Sequence, residues 1–376
     1  MNHCHHLCLL SAAWLGFAGS AAAELPRYSL LRVEDLYALP PGASLQVIPE
    51  GVTLAFRGSD YTMFAAVGSA PPQALAPPTG YVGVLTGPRA VTGNGGFAAT
   101  AFDGAAPAIP AWSTVNTAVR YTPGGGYENL GGLNGSNMAV QAMSPNGTVA
   151  ANALDSENEE FFAARYRDGE GWRALGALGP LGYSVAYAVN DSGVVVGEST
   201  NATGQIIPFL YTDAGGMQPI TDNGTEIFGR AEAINSNGLV TGTAGGRAFL
   251  FNAATMELSY VTPVASQRTM DINILGQMVG AFNISSSIHP ISSLAWVATG
   301  DEGFDLLENR IGQDLSDPVW RITTAQDANN DGWILANAYN VREARSYQVF
   351  LYPIPEPGVF AFSLCLIFSL LLRRRR

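Results

Sequence analysis

The sequence predicts an all-β fold, a β-propeller of six or seven four-stranded blades, and three observations carry that expectation. The first is a repeated decapeptide. AVNDSGVVVG at 188–197 recurs at 90–99 (AVTGNGGFAA), 142–151 (AMSPNGTVAA), 233–242 (AINSNGLVTG), 271–280 (DINILGQMVG) and 327–336 (DANNDGWILA), with a degraded copy at 46–55 (QVIPEGVTLA). The aligned glycines, Gly51, Gly95, Gly147, Gly193, Gly238, Gly276 and Gly332, fall roughly 40 to 55 residues apart, the period of a repeat architecture. The second observation is that each unit has a second half. AVRYTPGGGYENLG at 118–131 aligns without a gap to AARYRDGEGWRALG at 163–176, and weaker copies begin at Pro208, Ala248, Ala295 and Val349. An aromatic recurs in these copies, at Tyr121, Tyr166, Tyr211, Phe251, Trp296 and Tyr352. The third is that short apolar runs are split by Asn-Gly, Ser-Gly, Asp-Gly and Gly-Gly pairs, the signature of strands joined by hairpins. Four strands in about 45 residues make one propeller blade.

In the clearest unit the strands are expected at 187–190, 194–198, 207–212 and 217–221. The repeated Asn190, Asn235, Asn273 and Asn329 are each expected to bond their own backbone two residues on and so shape the turn. Equivalent positions circle the axis of a propeller, so a ring of ligands is the alternative reading. Before the first regular unit, the segment 27–39 (RYSLLRVEDLYAL) reads as strand. The last unit ends at Tyr352 without a fourth strand, and the N-terminal strand is expected to complete it, removing sheet edges that an open array would expose. The region 45–78 is the least regular, and its Pro71-Pro72 and Pro77-Pro78 pairs mark loops.

Composition narrows the function. The chain has 376 residues, 47% hydrophobic and 13% charged, with 43 Gly and 22 Pro, a balance that suits a turn-dense β protein. Its formal charge is -12, and all 19 basic residues are Arg. So acidic a surface repels phosphate, and nucleic acid is not an expected partner. Cys4, Cys8 and Cys365 all lie near the termini. The body between them therefore offers no disulfide, thiol nucleophile or cysteine zinc site.

The two ends read as targeting segments. Residues 1–23 form a secretory signal, with an expected signal helix over the apolar run 7–18 and an A-x-A cleavage site at Ala21 and Ala23, before Glu24. His3, His5 and His6 stand where Lys or Arg is usual. At the other end, Pro355, Glu356 and Pro357 precede an apolar stretch, 358–372, and the chain stops at Arg373, Arg374, Arg375 and Arg376. As a helix that stretch spans about 22 Å, short of a bilayer core of about 30 Å, and the arginines would hold the end in the cytoplasm. This order of parts resembles the PEP-CTERM sorting signal of Gram-negative bacteria, in which Pro-Glu-Pro, an apolar helix and an Arg cluster are recognised by an exosortase. The resemblance implies export through the general secretion machinery and signal peptidase, transient anchoring in the inner membrane, processing near 355–357, and a final place at the cell surface or outside it. A plain tail anchor is the alternative.

The chain thus divides into a signal peptide (1–23), a repeat propeller domain (24–353) and a sorting segment (354–376). The repeats resemble the HAF family of extracellular repeats, with an A-I-N-x-x-G-x-V-V-G turn, an A-F-L-W-like strand and a Gly-rich hairpin ending in Leu-Gly. Residues 188–197, 208–211 and 233–242 carry the pattern best, whereas Thr92-Gly93, Ser144-Pro145 and 272–276 depart from it. That resemblance implies a propeller-like fold at the cell surface and supplies no catalytic residues.

Chemistry-bearing constellations are few. Asp327, Asn329 and Asp331 with Gly332 match the first half of a calcium loop, but Ala338 stands where the bidentate Glu belongs, so a plain turn is expected and calcium is the only cofactor considered. The acidic run DSENEE at 155–160 reads as a solvated loop. The body's single histidine, His289, has no G-x-S-x-G elbow to accompany it. Trp112, Trp172, Trp296, Trp320 and Trp333 are expected to pack the blades. Together these readings predict a non-catalytic exported surface or matrix protein associated with exopolysaccharide. The alternative is a propeller-based polysaccharide hydrolase or lyase with paired carboxylates in its funnel.

Overall fold

A computed structural model describes residues 25–36, 44–47, 53–57, 63–67, 73–93, 95–103, 116–155, 160–262, 267–284, 291–300, 303–312 and 319–354. The signal helix, the sorting tail with its apolar helix, His289 and Trp112 lie outside the described residues, as does most of the acidic run at 155–160. Among the described residues the strands fall into five four-stranded sheets, one eight-stranded sheet and one two-stranded hairpin. The repeats map onto this division. The Gly193 unit is Ser184–Val189, Val195–Thr200, Ile206–Thr212 and Gly216–Pro219, hydrogen-bonded in that order. The Gly238 unit (Gly229–Ile234, Leu239–Ala244, Arg247–Asn252, Glu257–Tyr260) and the Gly276 unit (Gln267–Ile272, Met278–Asn283, Ser293–Thr299, Gly303–Leu306) repeat it. The degraded copy also forms a sheet of four, Ser44–Val47, Thr53–Arg57, Met63–Val67 and Gln73–Leu75. The eight-stranded sheet is the Gly95 and Gly147 units, joined through their first strands, Gly83–Val91 and Asn137–Met143, by a parallel bridge between Arg89 and Ala142.

The Gly332 unit contributes only Trp320–Ala328, Ile334–Asn340 and Arg345–Pro353, and the N-terminal strand Tyr28–Arg32 pairs antiparallel with the third of these. The expected completion of the last sheet is therefore present, with one correction. Val33–Leu36, expected as strand, is a helical turn. Tyr28 is fully buried, and its hydroxyl accepts a hydrogen bond from Gln277 Nε2 of the neighbouring unit.

Each turn closes in the same way because the repeat dictates it. The amide of the aligned glycine donates to the carbonyl three residues back, as in Gly193 to Asn190, 2.9 Å, and Asn190 N donates to Val194 O, 3.1 Å. Gly193 has φ +73, a left-handed conformation that costs L residues about 1–2 kcal/mol. The core then forms between units rather than inside them. Ala188, Val196 and Leu210 of one sheet pack on Ala231, Val240 and Phe249 of the next, and Ala233 and Ala248 pack on Met278 and Trp296. Both faces of the inner sheets are thus covered, which is why the strand Val195–Thr200 is buried along its whole length and shows no polar alternation.

Two repeat positions take their meaning from this packing. The last residue of the decapeptide is Gly197, Gly242 or Gly280 where the cross-strand partner is Phe209, Phe249 or Trp296, and Ala99, Ala151 or Ala336 where the partner is Val119, Ala164 or Val349. A large ring needs the space of a missing Cβ. The same pairing corrects the expected aromatic column. Tyr121, Tyr166, Tyr211 and Phe251 occupy one equivalent rung, but that rung holds Ala298 and Leu351 in the last two units, with Trp296 two residues and Tyr352 one residue away. The second position is an arginine that ties neighbouring units. Arg120 Nη1 donates to Gly147 O (3.2 Å), and its guanidinium grips Asp168 (2.9 Å). One repeat later Arg165 donates to Gly193 O (3.0 Å) and Asp213 (2.7 Å). The next equivalent is Leu210, and the ladder ends there.

The expected role of tryptophan in packing also has its particulars. Trp172 meets Tyr166 at a tilt and donates its indole N–H to Leu130 O, Trp320 meets Tyr347 edge-on, and Trp333 contacts Phe350 and Tyr352.

Candidate site at the central cavity

The first strands of six units converge on one cavity of about 160 Å³. Its rim is made of the repeat turns, including Thr92, Ser144, Asn190, Asn235, Asn273 and Asn329. Asn235, Asn273 and Asn329 bond their own backbone two residues on, as the sequence suggests, whereas Asn190 Oδ1 accepts from Val194 N, four residues on (3.1 Å), and three of the asparagines do one thing more. Oδ1 of Asn235 accepts the amides of Asn237 (3.0 Å) and Leu239 (2.9 Å), which fixes its own turn. Its Nδ2 donates outward, to Asn273 O of the next unit (2.8 Å). Asn190 reaches Asn235 O in the same way (3.2 Å), and Asn273 reaches Asn329 O (2.8 Å). The side chains of Asn190, Asn235 and Asn273 are therefore consumed in a relay that locks neighbouring turns together, and they are not a ring of free ligands. Asn235→Ala removes two turn bonds and one link from buried groups and is expected to cost about 2–3 kcal/mol. Asn235→Asp keeps the turn acceptor but sets a buried carboxyl oxygen against Asn273 O in place of the donor, so it is expected to cost more than the link alone, as chemical denaturation of the two variants would show.

Asn329 is bonded like the others, its Oδ1 accepting from Asp331 N (3.1 Å) and Trp333 N (2.9 Å). Asp327 lies at the end of a strand on the cavity wall, and Asp331 sits in the turn. Among the described residues no group of three His, Cys, Asp or Glu is placed to hold a metal ion.

Ionisable groups missed by the sequence reading lie below this rim. Arg89 Nε is 3.5 Å from Asp271 Oδ1, an ion pair between the Gly95 and Gly276 units, whose strands do not pair. Asp271 Oδ2 also accepts from Ala328 N (3.1 Å). Arg89 reaches this position because its strand breaks register between Thr86 and Val91, and Gly87 lies so close to Gln141 that a Cβ would sit 2.3 Å from its carbonyl oxygen. Arg89 Nε is buried without a hydrogen bond among the described residues, and so is Glu232 Oε1.

Glu232 occupies a β-bulge, between Ala231 and Ala233. The bulge recurs at Gln141, Tyr187 and Met270, so the residue before the decapeptide is the one the strand re-aims. That position was the legible signal for the site. Glu232 is 4% exposed and lies 3.5 Å from Arg230 Nε and 4.0 Å from Arg268 Nε. Burial pushes its carboxyl above the usual 4.5, against the pull of Arg89, Arg268 and Arg230. Beside it, Tyr183 donates to Glu198 Oε1 (2.9 Å), and burial together with the Glu198 charge pushes Tyr183 up to about 12. Glu232 binds its proton more tightly in the folded than in the unfolded chain. It therefore costs stability above its folded pKa, and that cost fades as the pH falls through that value toward 4.5. Melting temperatures at pH 8 and pH 5 are expected to show this rise on acidification, and Glu232→Gln is expected to flatten it.

The fold and this cavity define an all-β, propeller-like protein. No protein-family model matches the chain, and no curated protein matches it. Solved structures do. Puromycin hydrolase is 17% identical with a TM-score of 0.48, covering 83% of this chain and 51% of its own. An acylaminoacyl peptidase from Pyrococcus horikoshii is 12% identical with a TM-score of 0.48, over 79% and 50% of the two chains. The WD40 domain of SCAP from fission yeast is 9% identical with a TM-score of 0.37, over 86% and 87%. The chain thus spans about half the length of the two hydrolases. Likeness at these identities concerns the fold and assigns no reaction. It does correct the expectation of a non-catalytic matrix protein. Proteins of similar fold include hydrolases, so the fold gives no ground for excluding catalysis, and the buried ionisable groups at the cavity give none either. Nothing here supports the polysaccharide hydrolase or lyase alternative. Among the described residues no helix is long and apolar enough to cross a membrane.

Proposed function

We propose that this chain is an exported β-propeller of seven blades that works through its central cavity, which receives the polar end of a small molecule. The blade number is supported by the five four-stranded sheets together with an eight-stranded sheet that divides into two units of four. Export and transient membrane anchoring rest on the sequences of the two ends alone, with signal peptidase and an exosortase as the partners they imply. The observation that carries the ligand reading is Arg89, a half-buried side chain whose buried Nε has no hydrogen bond among the described residues, facing Asp271 in a cavity to which six units contribute. A buried donor left in that condition is normally answered by water, an ion or a ligand. The cavity is smaller than a drug-sized pocket of roughly 300–1,000 Å³, so a terminal group fits rather than a whole large ligand.

A second reading, hydrolysis, is favoured by Glu232. A buried carboxylic acid that keeps its proton to higher pH is suited to protonate a leaving oxygen or nitrogen. Full-length protein in mild detergent is assayed against p-nitrophenyl esters and aminoacyl p-nitroanilides, with thermal-shift binding of the same compounds in parallel. Cleavage that falls by about 100-fold or more in Glu232→Gln supports hydrolysis, and cleavage unchanged in that variant overturns it. Thermal shifts abolished by Arg89→Gln support the cavity as the binding site, and shifts that persist in that variant overturn it.

A further inference from the structure

A cavity of about 160 Å³ takes only the polar end of a ligand, so the rest of the molecule must emerge past the rim. What it meets there are the fourth and fifth residues of each decapeptide. In five of the six regular units these are polar, glycine or proline: Gly-Asn at 93–94, Pro-Asn at 145–146, Asp-Ser at 191–192, Ser-Asn at 236–237 and Asn-Asp at 330–331. Turn chemistry favours those types. The remaining turn carries Ile274 and Leu275, 38% and 66% exposed, and Ile274 lines the cavity. The backbone there is held by other groups, since Ile274 N donates to Asn330 Oδ1 (2.8 Å), Ile274 O accepts from Asn237 Nδ2 (3.2 Å) and Leu275 N donates to Asn273 Oδ1 (3.0 Å). The two side chains are not needed for the turn. Single exposed apolar residues are ordinary on a protein surface. Two adjacent ones, pinned at the edge of a polar cavity against the pattern of their own repeat, form a step on which an apolar body can lie.

The wall of the cavity limits the polar end as well. Arg89 Nε and Asp271 Oδ1 stand 3.5 Å apart and offset each other's charge. A carboxylate would face both Asp271 and Asp327, and an ammonium would face Arg89 and leave its Nε without an acceptor. A neutral amide carries a carbonyl acceptor and an N–H donor side by side, the complement of that pair. We infer that Ile274 and Leu275 determine specificity at this cavity, and that its ligand is a small neutral amide whose apolar chain lies across the two side chains. The inference rests on the ligand reading of the cavity and adds the class of ligand. Covering the step removes apolar surface of both partners from water, which is the driving force for the chain, while the amide end fixes its direction.

The test is calorimetric titration of the full-length protein in mild detergent, with protein-free detergent as the blank. Hexanamide is the probe, and hexanoate and hexylammonium are its charged counterparts of equal length. Hexanamide is expected to bind saturably and more tightly than either. The double variant Ile274→Ser/Leu275→Asn, which restores the Ser-Asn of 236–237, is expected to weaken that binding about tenfold, the effect of losing roughly two buried methylenes. Its melting temperature is expected to stay unchanged. Leu181→Asn, at a residue 55% exposed and outside the cavity lining, is the control and is expected to have no effect. No saturable hexanamide binding overturns the inference, as do equal affinity in the double variant, equal loss in Leu181→Asn, or tighter binding of a charged counterpart. Binding lost in Arg89→Gln but kept in the double variant overturns this inference and leaves the cavity as a ligand site. Binding that persists in Arg89→Gln overturns both. If the double variant melts lower, Leu275→Asn alone, at the more exposed position, decides the outcome.

Discussion

Arg165→Ala is expected to lower the stability of the folded protein by about 2–3 kcal/mol, the cost of emptying the space of a buried side chain and losing its charge-assisted hydrogen bonds. The Arg165 side chain is 1% exposed and joins two units by bonds to Gly193 O and Asp213, with its guanidinium over the Tyr211 ring at 5.6 Å. Truncation leaves the Gly193 carbonyl without this donor and opens a void at the seam. Asp213 loses less, since Arg167 Nη1 still reaches its Oδ2 at 2.6 Å. Urea unfolding with an unchanged slope and a lowered midpoint is the expected readout. A fall in the slope instead would mean that the units come apart separately. The same pair has a pH signature. The Arg165 hydrogen bond holds the Asp213 carboxyl below its usual 3.8, so its contribution is complete above that value and is lost as the pH falls through the lowered one. In Arg165→Ala that acid-side loss is expected to shrink. Arg120→Ala, its counterpart one unit earlier, is expected to cost less, because the Arg120 side chain is itself 15% exposed and its bonds are better screened by solvent.

Gly197→Ala is the second large effect, expected at about 3 kcal/mol or more. A Cβ at this position would stand 1.9 Å from the Val185 carbonyl oxygen and 2.8 Å from the Phe209 ring. The carbonyl belongs to the neighbouring strand and cannot move without breaking its ladder. Gly242 and Gly280 meet the same obstacles, Arg230 O with Phe249 and Arg268 O with Trp296, and the same substitution is expected to cost a similar amount there. Gly216 supplies the contrast. It has φ +65 with nothing within 4 Å of a built Cβ, so Gly216→Ala is expected to cost only the about 1–2 kcal/mol of the backbone conformation. Thermal unfolding that ranks Gly216→Ala at or above Gly197→Ala would show that backbone freedom, and not close approach, fixes the repeat glycines. Phe209→Val in the Gly197→Ala background is expected to recover part of the loss, the part owed to the ring.

Both effects show where a reading of residues stops. The period, the turn chemistry and the four-strand content of a unit were legible because each depends on local rules. Asn-x-x-Gly fixes a turn within five residues, and alternating turns fix strand lengths. The completion of the last sheet by the N-terminal strand was legible too, since the final unit lacks a strand that the first segment supplies. The aromatic column was misaligned in the last two units, because Trp296 and Tyr352 resemble Tyr211 in type and not in register, and register is set across strands rather than along the chain. Glu232 and Arg89 were not recognised as site residues. Each looks like an ordinary charge on a strand until a bulge or a register break turns it inward.

By itself the sequence determined the all-β class, the repeat and the turn at each aligned glycine, all of which follow from short-range chemistry. Only the tertiary structure decided that the asparagines lock neighbouring turns, that Gly197 makes room for Phe209, and that Arg89 and Asp271 from two separate units meet in one cavity. The physical reason is distance along the chain. Arg89 and Asp271 are brought to 3.5 Å by the stacking of the sheets between them, and nothing in the spacing of either residue encodes that meeting.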